Sequence, residues 1–368
     1  MKVPFVNLGL QYKNYKTKII KAFDRISSKG NYILGKDLLK FEKDFAKFCG
    51  TRYAIGLGNG SDAISFSLLS LNIGKGDEVI IPANSFVATA WTVANTGAKI
   101  VYADVNNDLN IDPISVKKLI TKKTKAIIPV HLTGKICDID ELIYIAKQNK
   151  IHLIEDSAQS VGAEYKNKKS GSFGITGCFS LHPLKNLHVH GDGGILTTND
   201  KTIYEYINKI RNHGLKNRDE CEFWGYNSRL DNIQAAIASI KLKSINKINN
   251  RFRKIARMYN NELKTYIEVP IDDDNRNSIF HRYIIKYSKR DKLKNYLEKK
   301  GIETKINYPI PLHKQEASKK ISFKKKSLIN TERLSKEILS LPIYYEMTDK
   351  QVEYVIRQIK NFFKKNLI

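Results

Sequence analysis

Tyr53-Ala54-Ile55-Gly56-Leu57-Gly58-Asn59-Gly60-Ser61-Asp62-Ala63 is the stretch on which the reading of the fold turns. The apolar run Tyr53–Leu57 predicts a strand, and Ser61–Leu71 predicts a helix. The glycines between them let the backbone turn sharply and approach a ligand closely. A helix beginning at Ser61 would aim its unpaired N–H groups and positive dipole end at an anion, for which a phosphate is the natural guest. Two other readings stand beside this one. A dinucleotide-binding turn needs a third glycine at position 61, where the chain has Ser61; its acidic residue ends the second strand, whereas Glu78 begins one. A plain N-cap by Ser61 or Asn59 needs no ligand at all.

Outward from this turn, strands and helices alternate. Strands are predicted at Glu78–Ile81, Lys99–Tyr102, Ala126–Val130 and Ile151–Ile154, with helices at Ser85–Asn95 and Asp138–Gln148 between them. Such alternation implies an α/β fold whose mostly parallel sheet is covered on both faces by helices. Ligands then bind beyond the carboxyl ends of the strands. A long helix is expected from Asp231 towards Asn249, with Ile233, Ala236, Ile237, Ile240 and Leu242 at helical spacing. Beyond it, a strand at His281–Lys286 and a helix at Asp291–Lys300, ended by Gly301, suggest a smaller α+β unit. The expected division is a large domain with an N-terminal arm, residues 1–249, and a small C-terminal domain, residues 250–368.

Composition narrows the classes. The 368 residues are 42% apolar, which favours a packed core over disorder. No apolar run reaches the length of a membrane span, and the N-terminus has no stretch of signal-peptide length. Cys49, Cys137, Cys178 and Cys221 match no metal or redox spacing, so a reducing cytoplasm is expected. The formal net charge of +26 raises nucleic acid as a partner, but lysine is spread along the whole chain. The densest basic stretch, Lys319 to Lys326, reads as a solvated helix or loop, and no nucleic-acid partner is expected. The positive field would still attract an anionic small molecule.

Two further segments carry chemistry. Ile154-Glu155-Asp156-Ser157-Ala158-Gln159 puts a carboxylate at the end of an apolar strand, where it could pair with a protonated ring nitrogen or simply cap a helix. Phe179-Ser180-Leu181-His182-Pro183-Leu184-Lys185-Asn186-Leu187, followed by Gly191-Asp192-Gly193-Gly194, places Lys185 among apolar neighbours. Desolvation there would disfavour the ammonium and make the amine nucleophilic. His182, His188 and His190 lack a carboxylate or cysteine at metal spacing, so no metal is expected. A phosphate turn, an Asp after a strand and then a Lys are, in this order, the parts that pyridoxal 5′-phosphate (PLP) needs.

With these segments in place, the sequence resembles the DegT/DnrJ/EryC1/StrS sugar aminotransferases, of the aspartate-aminotransferase fold (fold type I of PLP-dependent transferases). The resemblance also rests on Pro4-Phe5-Val6-Asn7-Leu8, Pro82-Ala83-Asn84-Ser85-Phe86-Val87-Ala88-Thr89 and Pro129-Val130-His131-Leu132-Thr133-Gly134. It continues through Asn227-Ser228-Arg229-Leu230-Asp231, Gln234-Ala235-Ala236 and Tyr308-Pro309-Ile310-Pro311-Leu312-His313. It implies a seven-stranded sheet, PLP as cofactor, and a homodimer with shared sites. Lys185 matches the lysine that joins the cofactor covalently, and Asp156 the partner of its pyridine nitrogen. Gln159 matches the residue near the 3-hydroxyl, and Phe86 the aromatic on the ring face. Gly60, Ser61 and Ser180 match phosphate contacts; Asn227 matches one supplied by the other subunit. Tyr308 and His313 match a segment close to the sugar, and His131 and His281 are candidates near the substrate.

The implied reaction moves an amino group from L-glutamate to a nucleotide-linked keto-sugar. Lys185 argues against the related sugar dehydratases, which carry His at that position, and the intact set argues against a non-catalytic regulator. Asp192 tilts the reading towards a 3-keto sugar, since many 4-keto members carry Glu there. The chain departs from the family at Leu181, where an aromatic is usual, and at His188-Val189-His190; both departures are expected on the sugar side of the pocket.

Overall fold

The computed structural model describes residues 1–319 and 328–366. The basic stretch Lys319 to Lys326 therefore lies outside the described residues except for Lys319. Among the described residues twelve strands occur in chain order: β1 Tyr53–Leu57, β2 Glu78–Pro82, β3 Lys99–Ala103, β4 Thr124–Ile127, β5 His152–Asp156, β6 Glu164–Tyr165, β7 Lys168–Lys169, β8 Thr176–Ser180, β9 Gly194–Thr198, β10 Arg276–Asn277, β11 Tyr283–Lys286 and β12 Ile338–Leu341. Seven of them form the main sheet, in the order β1-β9-β8-β5-β4-β2-β3. β9 runs antiparallel to both its neighbours, and the other pairings are parallel. Every residue of β2 and β9 is buried, as expected for a sheet covered on both faces.

The covering helices up to residue 263 are α1 Leu8–Ser27, α2 Lys36–Cys49, α3 Gly60–Ser70, α4 Val87–Asn95, α5 Pro113–Leu119, α6 Ile139–Asn149, α7 Lys201–Ile210, α8 Asn232–Leu242 and α9 Ile245–Leu263. Their ends follow local chemistry. Asn7 caps α1 and Asp112 caps α5, with Pro113 in its first turn. Gly50 ends α2 at φ +76°, a left-handed conformation that favours glycine. Ile64, Phe66, Val93, Ile154 and Leu196 share the core on one side of the sheet. Ile80, Ile127, Leu142 and Leu153 share another on the far side.

The remaining helices are α10 Arg290–Lys299, α11 Glu316–Lys319, α12 Ile329–Glu337 and α13 Asp349–Asn366. α9, α10 and α13 close a separate core with the β11–β12 pair, through Phe252, Tyr259, Tyr283, Leu293, Leu339 and Val355. Val3 from the N-terminal arm packs into the same core. No described helix is long and apolar enough to cross a membrane.

Two expectations are corrected here. The helix expected from Asp231 to Asn249 is broken at Lys243 and Ser244 into α8 and α9, since apolar spacing continues across a two-residue break that periodicity does not reveal. The helix expected from Ser85 starts at Val87 instead. Ser85 lies in the loop before it, and Phe86 is extended (φ −67°, ψ 147°), which puts its ring beyond the end of β2.

Candidate active site

The glycine turn is fixed from behind by a buried ion pair. Arg211 Nη1 donates to Glu42 Oε1 (2.6 Å) and to the Gly56 carbonyl (2.8 Å), and Glu42 Oε1 also accepts from the Gly56 N–H (2.8 Å). Ser228 Oγ accepts from the Gly58 N–H (3.0 Å) and donates to Asp62 Oδ2 (2.6 Å). Asn59 is the N-cap, its Oδ1 accepting from the Asp62 N–H (2.8 Å). The N-cap leaves room for an anion, because Asn59 takes one N–H and leaves those of Gly60 and Ser61 free of helical partners. A Cβ on Gly60 would lie 2.9 Å from the Ser180 Cβ, so the start of α3 and the end of β8 approach each other at glycine distance.

Glu155 and Asp156 end β5 and point to opposite faces of the sheet. Glu155, fully buried, accepts from His131 Nε2 (2.9 Å) and from the N–H groups of Gly171, Phe173 and Gly174 (2.7, 2.7 and 2.8 Å). Asp156 faces a cavity of about 340 Å³ lying beyond the carboxyl ends of the strands. Its Oδ2 accepts from Thr89 Oγ (2.9 Å), which takes a hydrogen bond from Ser85 Oγ (2.8 Å); its Oδ1 accepts from the Ala158 N–H (3.2 Å). Among the described residues no cationic nitrogen lies within 4.0 Å of it. Burial pushes its carboxyl above the usual range, partly offset by these donors and by Lys185.

Lys185 stands on the loop between β8 and β9 and lines the same cavity. The loop is pinned on both sides of it. His188 Nδ1 donates to the Lys185 carbonyl (2.8 Å), and Asn186 bonds Asn249 of α9 (3.2 Å) and His281 Nδ1 (2.9 Å). Burial lowers the Lys185 ammonium to about 8, helped by the charge of Arg282 and opposed by Asp156. An amine in that range is a usable nucleophile and base at neutral pH.

Gly60, Ser61, Phe86, Gln159, Ser180, His281 and Tyr308 also line this cavity. Phe86 is 55% exposed, a large apolar face on the cavity wall, and its ring centre lies 6.0 Å from that of Tyr308. Gln159 accepts from the Thr133 N–H (3.0 Å) and donates to the Tyr308 hydroxyl (3.3 Å). His281 Nδ1–H is committed to Asn186, and burial holds the ring well below its ordinary pKa.

Three candidates lie elsewhere. His131 is fully buried beside Glu155, with Nδ1 accepting from the Cys137 N–H (3.3 Å); it braces the back of the sheet and does not line the cavity. His313 lies outside the lining, against Glu332 (3.2 Å) and the ring of Tyr102. Asn227 is exposed and bridges to Asn212, outside this chain's own cavity. Leu181, His188 and Val189 are buried and His190 is exposed, and none of the four lines the cavity. Thr89 and Arg282 are among the lining residues that escaped the sequence reading. Thr89 could have been found as a hydroxyl within the quoted Pro82–Thr89 segment. Arg282 carries no signal in a chain with 63 Lys and Arg.

The chain that builds this cavity is similar over nearly its whole length to known proteins. The family profile described as the DegT/DnrJ/EryC1/StrS aminotransferase family matches residues 13–360. The chain belongs to this family. Among its relatives, a "pleiotropic regulatory protein" of Geobacillus stearothermophilus is 40% identical, with 99% of each chain covered. A dTDP-3-amino-3,6-dideoxy-alpha-D-galactopyranose transaminase of Aneurinibacillus thermoaerophilus is 39% identical, covering 98% of this chain and 99% of that one. The crystal structure of DesV from S. venezuelae, in complex with a ketimine intermediate, superposes with a TM-score of 0.95 at 34% identity, 98% of each chain being covered. As a family member the chain is an aminotransferase whose cofactor is PLP. Its residues fit that group: among the described residues neither Asp156 nor the Lys185 amine has an ion-pair partner within 4.0 Å, and Gly60, Ser61 and Ser180 line the same cavity.

Proposed function

We propose that this aminotransferase moves an amino group from L-glutamate to a nucleotide-linked keto-sugar, with Lys185 as the residue that carries the cofactor. The observation behind this reading is that Lys185 and Asp156 share one cavity, whose far end is the start of α3. Gly60, Ser61 and Ser180 would hold the phosphate, Phe86 the ring face and Gln159 the 3-hydroxyl side. When bound, PLP supplies an electron sink that lets a proton leave the donor's α-carbon. Asp156 keeps a proton on the pyridine nitrogen by its charge, and Thr89 and the Ala158 N–H keep its carboxylate aimed. Lys185 Nζ, displaced by the donor amine, takes the proton from the α-carbon. In the return half-reaction it delivers a proton to the carbon that receives the amine.

The transaminase relative is named for a dTDP sugar aminated at position 3, in line with the tilt that Asp192 gives. Exposed Asn227 supports a homodimer in which each cavity is completed by its neighbour. The separate core around α9, α13 and β11–β12 supports a division into residues 1–249 and 250–368, the boundary lying within α9. Four free cysteines support a cytoplasmic location.

The test is spectroscopic. Reconstituted with PLP, the protein is expected to show a visible band that bleaches with L-glutamate, and borohydride should fix the label on Lys185. Lys185→Ala is expected to fold, to lack that band and to lose turnover by at least about 10³-fold. A label mapped to another lysine, or undiminished turnover in the variant, overturns the reading.

A further inference from the structure

Among the described residues four charged side chains line the cavity: Asp156, Lys185, Asp192 and Arg282. With Lys185 engaged by the cofactor, Arg282 is the one remaining lysine or arginine among them. Elsewhere in the described structure, arginines with side chains at most 10% exposed are matched by acids: Arg211 with Glu42, Arg276 with Asp138, Arg290 with Asp291. Arg282 has no carboxylate within 4.0 Å among the described residues. Its guanidinium makes one long hydrogen bond, from Nη1 to the His281 carbonyl at 3.5 Å. Arg282 is partly buried in the cavity wall, where burial lowers its guanidinium and no acid offsets the cost, so an anionic ligand is the partner it lacks.

The guanidinium is also held in place. It lies over the Phe5 ring, 5.1 Å from its centre, and the Arg282 N–H donates to the Thr133 carbonyl (3.4 Å). A preset planar fork suits two carboxylate oxygens better than a point charge does. It also sits close enough to Lys185 to lower that ammonium. A carboxylate seated on Arg282 therefore brings the rest of a small amino acid up to Lys185.

We infer that Arg282 is the carboxylate-binding residue of the cavity and that the carboxylate it takes belongs to the amino donor. The inference rests on the aminotransferase reading for the word donor, but the binding event itself can be measured apart from turnover. Glutarate, a dicarboxylate that cannot transaminate, is titrated calorimetrically into the PLP-loaded protein and into Arg282→Gln and Arg282→Lys. Binding is expected to weaken roughly 10- to 100-fold in Arg282→Gln and less in Arg282→Lys, as for loss of a charge-assisted hydrogen-bond pair. The glutamate concentration that half-saturates the bleaching rate should rise in parallel, while borohydride labelling at Lys185 persists.

Equal glutarate affinity in wild type and Arg282→Gln overturns the inference. So does a variant that keeps glutarate binding and glutamate bleaching but fails with a keto-sugar bearing an acid group, because the carboxylate would then come from the sugar. Should Arg282→Gln not fold, Arg282→Lys carries the comparison, and unchanged affinity there overturns the bidentate seat. If the wild type shows no visible band, the transamination reading falls, and glutarate binding to the unloaded chain still decides for or against Arg282.

Discussion

Asp156 and Glu155 show how one strand gives adjacent carboxylates different tasks. Glu155 is turned to the back of the sheet, where three N–H groups and His131 surround it; Asp156 is turned to the cavity with no cation beside it. The sequence already marked Asp156 and Lys185, because few side chains can hold a ring nitrogen or capture an aldehyde, and both follow strands. His131 and His313 were marked on residue type and motif alone, and packing committed both to glutamates instead. The state of Lys185 leads to a pH prediction. Its folded value of about 8 lies below the ordinary one because burial and Arg282 disfavour the ammonium. Only the neutral amine attacks an aldehyde, so capture of PLP by the unloaded protein should accelerate as pH rises towards 8 and level off above it. Below that value the rate should climb about tenfold per pH unit. Stopped-flow absorbance between pH 6 and 9 checks this, and a flat profile contradicts it.

Among the elements, α3 is the one proposed to hold the cofactor's phosphate, and its geometry depends on Gly60. The first turn of a helix presents free N–H groups and half a positive charge, but only if a ligand can reach them. Gly60 permits that approach because its missing side chain is where Ser180 sits: an added Cβ would lie 2.9 Å from the Ser180 Cβ and 3.0 Å from its Cα. Gly60→Ala must therefore push α3 and the end of β8 apart. Cofactor affinity is expected to fall at least about tenfold, the equivalent of one hydrogen bond to a charged group. Dialysis followed by absorbance of the retained PLP measures it, and full retention would mean that the phosphate sits elsewhere. The buried parallel strands were legible because strands covered on both faces read as short continuous apolar runs. The ends were less so: β4 begins at Thr124 and ends at Ile127, where Ala126–Val130 was expected. α1 and α2 gave no reading, since their frequent lysines dilute the apolar stripe that only burial of Phe41, Phe45 and Ile26 reveals. The kink between α8 and α9 was hidden for the opposite reason, a stripe that continues through the break.

At the scale of the whole molecule, the cavity is built from both ends of the chain and is still incomplete on our reading. Gly60, Asp156 and Lys185 come from the part of the chain that builds the main sheet and its flanking segments, whereas His281, Arg282 and Tyr308 reach back from beyond α9. Contacts that join segments so far apart leave no local pattern, which is why Arg282 was invisible in the sequence. The missing piece is Asn227, exposed on its own chain and proposed to serve the neighbour's phosphate. Shared sites make a sharp prediction, because two defective chains can repair each other. In a dimer of one Lys185→Ala chain and one Asn227→Ala chain, the second chain supplies Lys185 and the first supplies Asn227, so one cavity is wholly native. The other cavity carries both defects. Random mixing makes half the dimers mixed, each with one good site of two, so activity should recover to about a quarter of wild type. Each variant alone should stay far below that, and unfolding and refolding the two together should be needed wherever subunits exchange slowly. Were Asn227 instead to act within its own chain, every cavity in the mixture would keep one defect, and activity would stay at the average of the two variants.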